Sequence, residues 1–234
     1  MPLGRDTAIT WHGHATVEIE TPGGKRILID PWLEGNPSFH GSLDDLARPD
    51  VILVTHGHSD HINDAVAVAN RHSAPVYAMN EVASWLSDQG VEQATGFNKG
   101  GTVDLGGPHA TQVHALHSSG LPDGSYGGEA AGYVLVLENG FTIYVAGDTD
   151  VFGDMRLIGE IYQPELAILP IGDHYTMGPR QAAQAIRLLG VRKVIPYHFG
   201  TFPLLRGTPE ELREAAADVD GLEVFALHPG ETLR

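Results

Sequence analysis

The chain has 234 residues, a formal charge of −16 and no cysteine. The lack of cysteine excludes disulfides, thiolate metal ligands and cysteine nucleophiles. A net charge of this sign repels phosphate backbones, and the densest basic run is only Arg192-Lys193, so we expect no nucleic-acid partner. No apolar run approaches the roughly 18 residues of a membrane span, and none follows the amino terminus as in a signal peptide. We therefore expect a cytoplasmic protein with no membrane partner.

Short strands joined by turns are predicted near the start of the chain. Residues 15–20 alternate in polarity at the strand period, and residues 26–30 return as their partner after a Pro-Gly-Gly turn. Residues 51–54, Val-Ile-Leu-Val, form a continuous apolar run of the kind that is buried on both faces of a sheet. A hairpin and a buried strand therefore open the fold.

Two helices are predicted after the buried strand. They cover residues 63–72 and 80–89. Asn80 is the expected N-cap of the second helix, and Gly90 the expected stop after it.

A second β-rich stretch and further helices follow. Residues 132–137 and 141–145 flank an Asn-Gly pair, which is a strong hairpin signal. The later predicted elements are strands at 166–169, 193–196 and 222–227 (the last ending the fold), a helix between Pro179 and Gly190, and a helix with a capping box at Thr208. Two β-rich stretches, each with helices after it, predict an α/β fold of two packed sheets covered by outer helices, in one domain over residues 1–234.

The most informative segment directly follows the buried strand and reads His56-Gly57-His58-Ser59-Asp60-His61. Residues at i and i+2 of an extended loop point to the same side, so His56 and His58 can bind one ion. The chain then turns into a helix, where Asp60 and His61 face a second position nearby. Imidazole and carboxylate are the ligands that zinc, manganese and iron accept when thiolates are absent. The pattern therefore indicates a metal site.

Three more candidate ligands each stand at a predicted strand end. They are His117, Asp148 and His198. Any one of them alone is more typical of an ordinary loop residue. Together with the first cluster they give seven candidate ligands, enough for two metal ions.

The order of these residues resembles that of the metallo-β-lactamase superfamily, and most closely a small bacterial group of metal-dependent hydrolases (UPF0173-like) related to the ascorbate-6-phosphate lactonases. The supporting segments are residues 11–15 (Trp-His-Gly-His-Ala), 28–33 (Leu-Ile-Asp-Pro-Trp-Leu), 117–124, 146–149 and 197–203. The resemblance covers essentially the whole chain. It implies an αββα sandwich of two mixed sheets with outer helices, and a site at one edge between the sheets.

The resemblance also implies how the ligands are shared between two divalent ions. His56, His58 and His117 are expected to hold the first ion, and Asp60, His61 and His198 the second, with Asp148 bridging. Zinc is the first expectation, with manganese and iron as alternatives. A hydroxide shared by the ions is expected to attack a small-molecule substrate, and the residues expected to take part in catalysis are Asp60, Asp148 and His14. The resemblance also suggests a homo-oligomer, since small members of this fold often pair.

Four residues have weaker support. The resemblance places His14 beside the metal centre, although a surface histidine at a strand end has the same pattern. Asp30 either hydrogen-bonds a ligand histidine or forms the turn before Pro31. His174 and Tyr126 are candidate substrate-binding residues, because each lies in a loop expected to flank the site, but a plain packing or connecting loop explains both equally well.

The leading interpretation is a metal-dependent hydrolase that cleaves a small ester, lactone or phosphodiester. Three alternatives remain open: a nuclease of the same superfamily, a di-iron redox protein on the same scaffold, and a non-catalytic metal-binding or regulatory module. The acidic charge argues against the nuclease. The redox relatives carry Glu where this chain has His58, and they usually need a flavin domain. The intact ligand set does not separate an enzyme from a binding module.

Overall fold

The computed structural model describes residues 6–234, which form two mixed β-sheets between outer helices. The first sheet contains, in chain order, β1 Ala8–Gly13, β2 Thr16–Glu20, β3 Arg26–Ile29, β4 Val51–Val54, β5 Val76–Met79, β6 Ala94–Phe97 and β14 Thr232–Leu233. The second contains β7 Thr102–Asp104, β8 His109–His114, β9 Ala131–Val136, β10 Thr142–Val145, β11 Leu166–Pro170, β12 Lys193–Tyr197 and β13 Glu223–Val224. The helices are α1 Ser59–Ile62, α2 Ala65–His72, α3 Asn80–Asp88, α4 Met155–Tyr162, α5 Pro179–Leu189 and α6 Pro209–Ala215.

The two sheets are built alike. The spatial order is β14-β1-β2-β3-β4-β5-β6 in the first sheet and β13-β12-β11-β10-β9-β8-β7 in the second. One part of each sheet is an antiparallel meander, and the other part has parallel strands. Parallel strands need crossover connections, which bring the helices onto the outer face of each sheet. The predicted sandwich of two mixed sheets with outer helices is confirmed.

Three apolar layers result from the alternation of side chains along the strands. On β3 and β4, Ile29 and Leu53 face the second sheet, while Leu28 and Ile52 face the outer helices. Successive side chains of a strand point to opposite faces, so a run such as residues 51–54 serves two layers at once. A third layer packs α4, α5 and α6 on the other face of the second sheet.

Two backbone hydrogen bonds join the sheets at the edge where the candidate ligands lie. The amide of Ala131 donates to the carbonyl of Thr55 at 3.1 Å, and the amide of His198 donates to the carbonyl of His14 at 2.9 Å. The hydroxyl of Tyr133, from the second sheet, donates to the carbonyl of Val54 at 2.7 Å. The loop after β4 is therefore tied to the second sheet, and the loop after β12 is tied to the first.

Most predicted elements are present, including the hairpin around Asn139-Gly140 and the capping box at Thr208. Three details differ. Asn80 is not the N-cap of α3 but its first residue, because the chain stays extended through Met79 at the end of β5. The expected helix over 63–72 begins only at Ala65, after the separate turn α1. The strand expected over 222–227 shortens to β13, and the fold ends instead with β14 beside β1.

No helix within the described residues is both long and apolar enough to cross a bilayer.

The core beneath the candidate ligands is expected to be sensitive to loss of volume. Replacing Leu53, which is fully buried on β4, by Ala should lower the free energy of unfolding by about 3 kcal/mol, since the substitution leaves a cavity. Leu157 on α4 is 43% exposed, and Leu157→Ala should cost less than about 1 kcal/mol. Urea titration followed by circular dichroism measures both. Equal losses in the two variants would contradict the assignment of Leu53 to the central core.

Candidate metal centre

All seven predicted ligands meet at one edge of the sandwich. The segment 56–61 follows β4, Asp148 follows β10 and His198 follows β12, so the carboxyl ends of strands from both sheets supply them. His117 lies three residues beyond β8, next to the isolated bridge between Leu116 and Asp150. The donor atoms form overlapping groups in which all members lie within 4.8 Å of one another: His56, His58 and His117; His14, Asp60, His61 and His198; and His56, His61 and Asp148.

The first group is arranged so that His56 and His58 each present an unprotonated nitrogen. Nδ1 of His56 lies 3.0 Å from the hydroxyl of Thr55, and Nε2 of His58 lies 3.3 Å from that of Ser118. If each ring donates there, the remaining nitrogens, Nε2 of His56 and Nδ1 of His58, carry lone pairs and lie 2.9 Å apart. Two nitrogens on one tetrahedral zinc, each about 2.0–2.1 Å from it, lie about 3.3 Å apart, which is close to this separation. Burial lowers the pKa of His56, His58 and His117, which favours the neutral form that binds metal.

The second group includes Asp60 and His61 of α1. The rings of His61 and His198 stack with centroids 5.7 Å apart, and Nε2 of His198 lies 4.0 Å from Oδ2 of Asp60. This group contains the predicted second set together with His14, whose Nε2 is 3.0 Å from the same carboxylate oxygen.

Asp148 lies between the two groups. Its Oδ2 is 3.6 Å from Nε2 of His117, 3.3 Å from Nε2 of His61 and 3.2 Å from Nε2 of His198. Burial opposes its ionisation, but His198 and His61 hold the pKa of Asp148 well below its usual range. One carboxylate oxygen of Asp148 therefore lies close to nitrogens of both donor groups.

The polar atoms at this centre fit a bound cation. Nε2 of His61, Nε2 of His198 and Oδ1 of Asp148 are buried without a hydrogen-bond partner among the described residues, whereas buried polar atoms are almost always paired. Burial lowers the pKa of His61, but Asp148 and Asp30 outweigh it and raise that pKa well above its usual value. The site therefore stabilises positive charge where its unpaired donor atoms converge.

Asp30 fixes the orientation of two ligand histidines. Its Oδ2 accepts from Nδ1 of His61 at 2.8 Å and from the hydroxyl of Thr55 at 2.7 Å, while Oδ1 accepts from the amide of Thr55 at 2.7 Å. Because the Thr55 hydroxyl donates to Asp30, it accepts from Nδ1 of His56. One buried carboxylate thus sets the tautomer of His61 directly and that of His56 through Thr55. Of the two interpretations of Asp30, the structure favours the hydrogen bond to a ligand histidine.

His14 is fully buried and links Asp60 to the loop after β12. Burial and the neighbouring His198 lower the pKa of His14 to about 4, so its ring is neutral at pH 7. Its Nε2 then donates to Asp60, and its Nδ1, 3.0 Å from the hydroxyl of Thr201, accepts from that group. Ser38 donates in turn to Thr201 at 3.3 Å. The interpretation of His14 as a surface histidine is therefore wrong.

The backbone is unusual at several of these residues. His14, Asp30 and His198 have φ of 51°, 49° and 54°, in the left-handed region that residues other than glycine rarely adopt. Gly147, just before Asp148, has φ of 65°, and a Cβ there would lie 2.7 Å from the carbonyl oxygen of Ala131. Such conformations persist where the surrounding structure fixes them, and they concentrate at functional sites.

A cavity of about 620 Å³ opens onto the two groups. His58, Asp60, His117 and Asp148 form its floor, and its wall includes the aromatic side chains of Trp32, Tyr175 and Phe202.

Neither of the candidate substrate-binding residues is among the described residues that line this cavity. His174 is exposed, and its neighbour Tyr175 occupies the wall in its place. Tyr126 is 72% exposed in a turn closed by a bridge to Gly120. Their role in substrate binding stays a prediction.

Four contributors to the site had no signal of their own in the sequence. Thr55 and Thr201 act through hydroxyl contacts that spacing does not reveal. Trp32 and Phe202 belong to segments that support the family resemblance, but only the folded loops show that both face the cavity.

Comparison with known proteins shows the family to which the chain belongs. The family model of the β-lactamase superfamily domain matches residues 25–199, a range that contains all seven candidate ligands and Asp30. The UPF0173 metal-dependent hydrolase of Koribacter versatilis is 51% identical over 227 residues, which cover 96% of each chain. Its counterpart in Rubrobacter xylanophilus is 52% identical over 232 residues, which cover 97% of this chain and 96% of the relative.

A solved structure extends the likeness to the fold. Igni18, a metallo hydrolase from the archaeon Ignicoccus hospitalis, superposes with a TM-score of 0.87 at 35% identity and covers 97% of both chains. Fold and site together define a metal-dependent hydrolase of the metallo-β-lactamase fold. The chain belongs to the UPF0173 family of that superfamily.

Replacing Asp30 by Asn is expected to weaken metal binding by about 10- to 100-fold, since the amide keeps the shape of the side chain but cannot accept all three hydrogen bonds. Titration against a fluorescent chelator measures the affinity. Asp45→Asn, at an exposed aspartate whose side chain bonds Ser42, serves as the matched control. Unchanged affinity in Asp30→Asn would show that Asp30 does not orient the ligand histidines.

Proposed function

We propose that this hydrolase works with two divalent ions and cleaves a small ester, lactone or phosphodiester. The position of Asp148 carries the proposal, because its Oδ2 contacts His117 from one group of donors and His61 and His198 from the other. A single ion has no need of seven donors, since zinc sites hold about four ligands.

The first ion is assigned to His56, His58 and His117, and the second to Asp60, His61 and His198, with Asp148 shared. Zinc is the first candidate and manganese or iron the alternatives, because all of them accept imidazole and carboxylate. When bound, the ions supply Lewis acidity that lowers the pKa of a coordinated water and stabilises negative charge developing on the substrate.

The chain's own residues hold this arrangement in place. Asp30 and Thr55 keep the nitrogens of His61 and His56 aimed inward. His14 donates to Asp60 and limits the directions in which that carboxylate can turn. The hydrogen bond from His14 and the nearby His61 outweigh burial and hold the pKa of Asp60 well below its usual range, so Asp60 remains an anionic ligand.

The size of the cavity supports a small-molecule substrate. A volume of about 620 Å³ falls within the range of about 300–1,000 Å³ typical of small-ligand sites. A nuclease has less support, because the chain's formal charge of −16 repels a nucleic-acid backbone.

Turnover is expected to depend on added metal. After chelation the protein should be inactive toward lactones, aryl esters and phosphodiesters, and Zn²⁺ or Mn²⁺ should restore hydrolysis of one of these classes. Chromogenic and pH-stat assays before and after metal addition measure this. Full activity after complete chelation, verified by elemental analysis, would contradict a metal-dependent reaction.

Removing the shared carboxylate is expected to abolish turnover and to reduce metal content. Elemental analysis should find two ions per chain in the wild type and fewer in Asp148→Ala, while His58→Ala should lose the first ion selectively. Activity should fall at least about 10³-fold in each, since bound ions lower the barrier by several kcal/mol. His109→Ala, at an exposed residue of β8, should keep both ions. One ion per wild-type chain would overturn the dinuclear assignment.

A further inference from the structure

The wall of the cavity differs in character from its floor. The floor carries metal ligands, whereas Trp32, Tyr175 and Phe202 give the wall broad aromatic faces. Trp32 and Phe202 stack with ring centroids 5.9 Å apart and an interplanar angle of 30°, so they present one continuous apolar surface.

This aromatic surface is joined directly to the site. The ring of His14 makes edge contacts with Trp32 at 5.0 Å and with Phe202 at 5.6 Å between centroids. His14 in turn lies 3.0 Å from Asp60. A group that packs on the two aromatic rings is therefore held beside the ligands of the second ion.

The charged groups at the cavity are acidic. Within residues 6–234, no lysine or arginine lines it, and Glu34 stands at its rim. The backbone there is fixed, because the amides of Leu33 and Glu34 both donate to the carboxylate of Asp64, at 2.5 and 2.9 Å. An anionic group remote from the metal ligands would meet Glu34 with no cation to pair with.

We propose that the substrate is an uncharged ester or lactone whose apolar, preferably aromatic, part packs on Trp32 and Phe202, and that Glu34 discriminates against substrates with an additional anionic group. This inference rests on the proposed function and narrows it. Phosphorylated lactones and other substrates with an additional anionic group become poor substrates, because their negative charge beyond the scissile bond has no partner. Aromatic packing supplies both affinity and orientation.

Charge discrimination is tested with dihydrocoumarin, a neutral aromatic lactone, and its 6-sulfonate. A sulfonate is used because it coordinates zinc only weakly. The zinc-loaded wild type should have a kcat/KM at least about fivefold higher for the neutral lactone. Glu34→Lys should raise the ratio of sulfonate to neutral kcat/KM by about fivefold or more, since a charge at the rim changes sign.

Glu92→Lys is the matched control. It makes the same change in net charge at an exposed residue that precedes β6. Since β4, β5 and β6 run parallel, Glu92 lies at the edge of the sheet opposite the cavity. The selectivity ratio should stay at the wild-type value. An equal shift in both variants would mean that overall charge, and not Glu34, sets the preference, and would overturn this part of the proposal.

The aromatic surface is tested by Phe202→Leu, which keeps an apolar side chain. The variant should lose about threefold or more in kcat/KM for dihydrocoumarin relative to δ-valerolactone, which has no aromatic ring. Because both lactones are measured with the same variant, a change in activity caused by a shift of His14 affects both and cancels in the ratio. An unchanged ratio would show that the substrate does not pack on this surface.

Binding separates failure of this inference from failure of the proposed function. The lactam 3,4-dihydroquinolin-2-one has the shape of dihydrocoumarin but resists hydrolysis, and its dissociation constant is measured by calorimetry alongside that of its 6-sulfonate. The inference is supported if the wild type binds the neutral lactam more tightly than the sulfonate and Glu34→Lys reverses this order. That support holds even if no lactone is hydrolysed. Equal dissociation constants, or no binding of either lactam, overturn it even if hydrolysis of another class is found.

Discussion

The burial of Asp148 among histidine nitrogens is the constraint on which the rest of the site depends. A buried carboxylate is unfavourable unless it is paired, and this one has His61, His117 and His198 within 3.6 Å of a single oxygen. Its other oxygen has no hydrogen-bond partner among residues 6–234. A set of lone pairs that converge in this way is stable when cations lie between them. The electrostatics of the centre thus explain both the number of histidines around Asp148 and the metal dependence of the family.

Neither sheet holds a complete site. The first sheet supplies Asp30 and the segment 56–61 from the ends of β3 and β4, and the second supplies His117, Asp148 and His198. The site therefore exists only when the sheets pack in register. The hydrogen bonds from Ala131 to Thr55 and from His198 to His14 set that register at the site itself. The way in which the two sheets pack therefore determines both the central core and the geometry of the metal centre.

The ligands could be predicted because their spacing is local or because each follows a strand. Within the segment His56 to His61, the spacing of the residues alone indicates which side chains can bind one ion. Asp148 and His198 follow apolar runs that are easy to recognise. Asp30 was open to two interpretations, since the bond to His61 joins residues 31 positions apart. Thr201 reaches His14 across 187 positions, and no pattern in one sequence reports such a contact. Asn80 was misassigned for the converse reason: the preceding strand, and not the local preference of Asn for a cap, decides where α3 begins.

The loops that position ligands also carry the wall that selects the substrate. Trp32 follows Asp30 by two residues, and Phe202 follows His198 by four, and both rings contact His14. Changes to these two aromatic residues therefore alter substrate packing and the support of Asp60 together. Glu34 and Tyr175 also line the cavity, but neither has a ring contact or hydrogen bond to His14 among the described interactions. Within one family, selectivity can then diverge at the rim while the metal chemistry is retained, because only the inner part of the wall is coupled to the ligands.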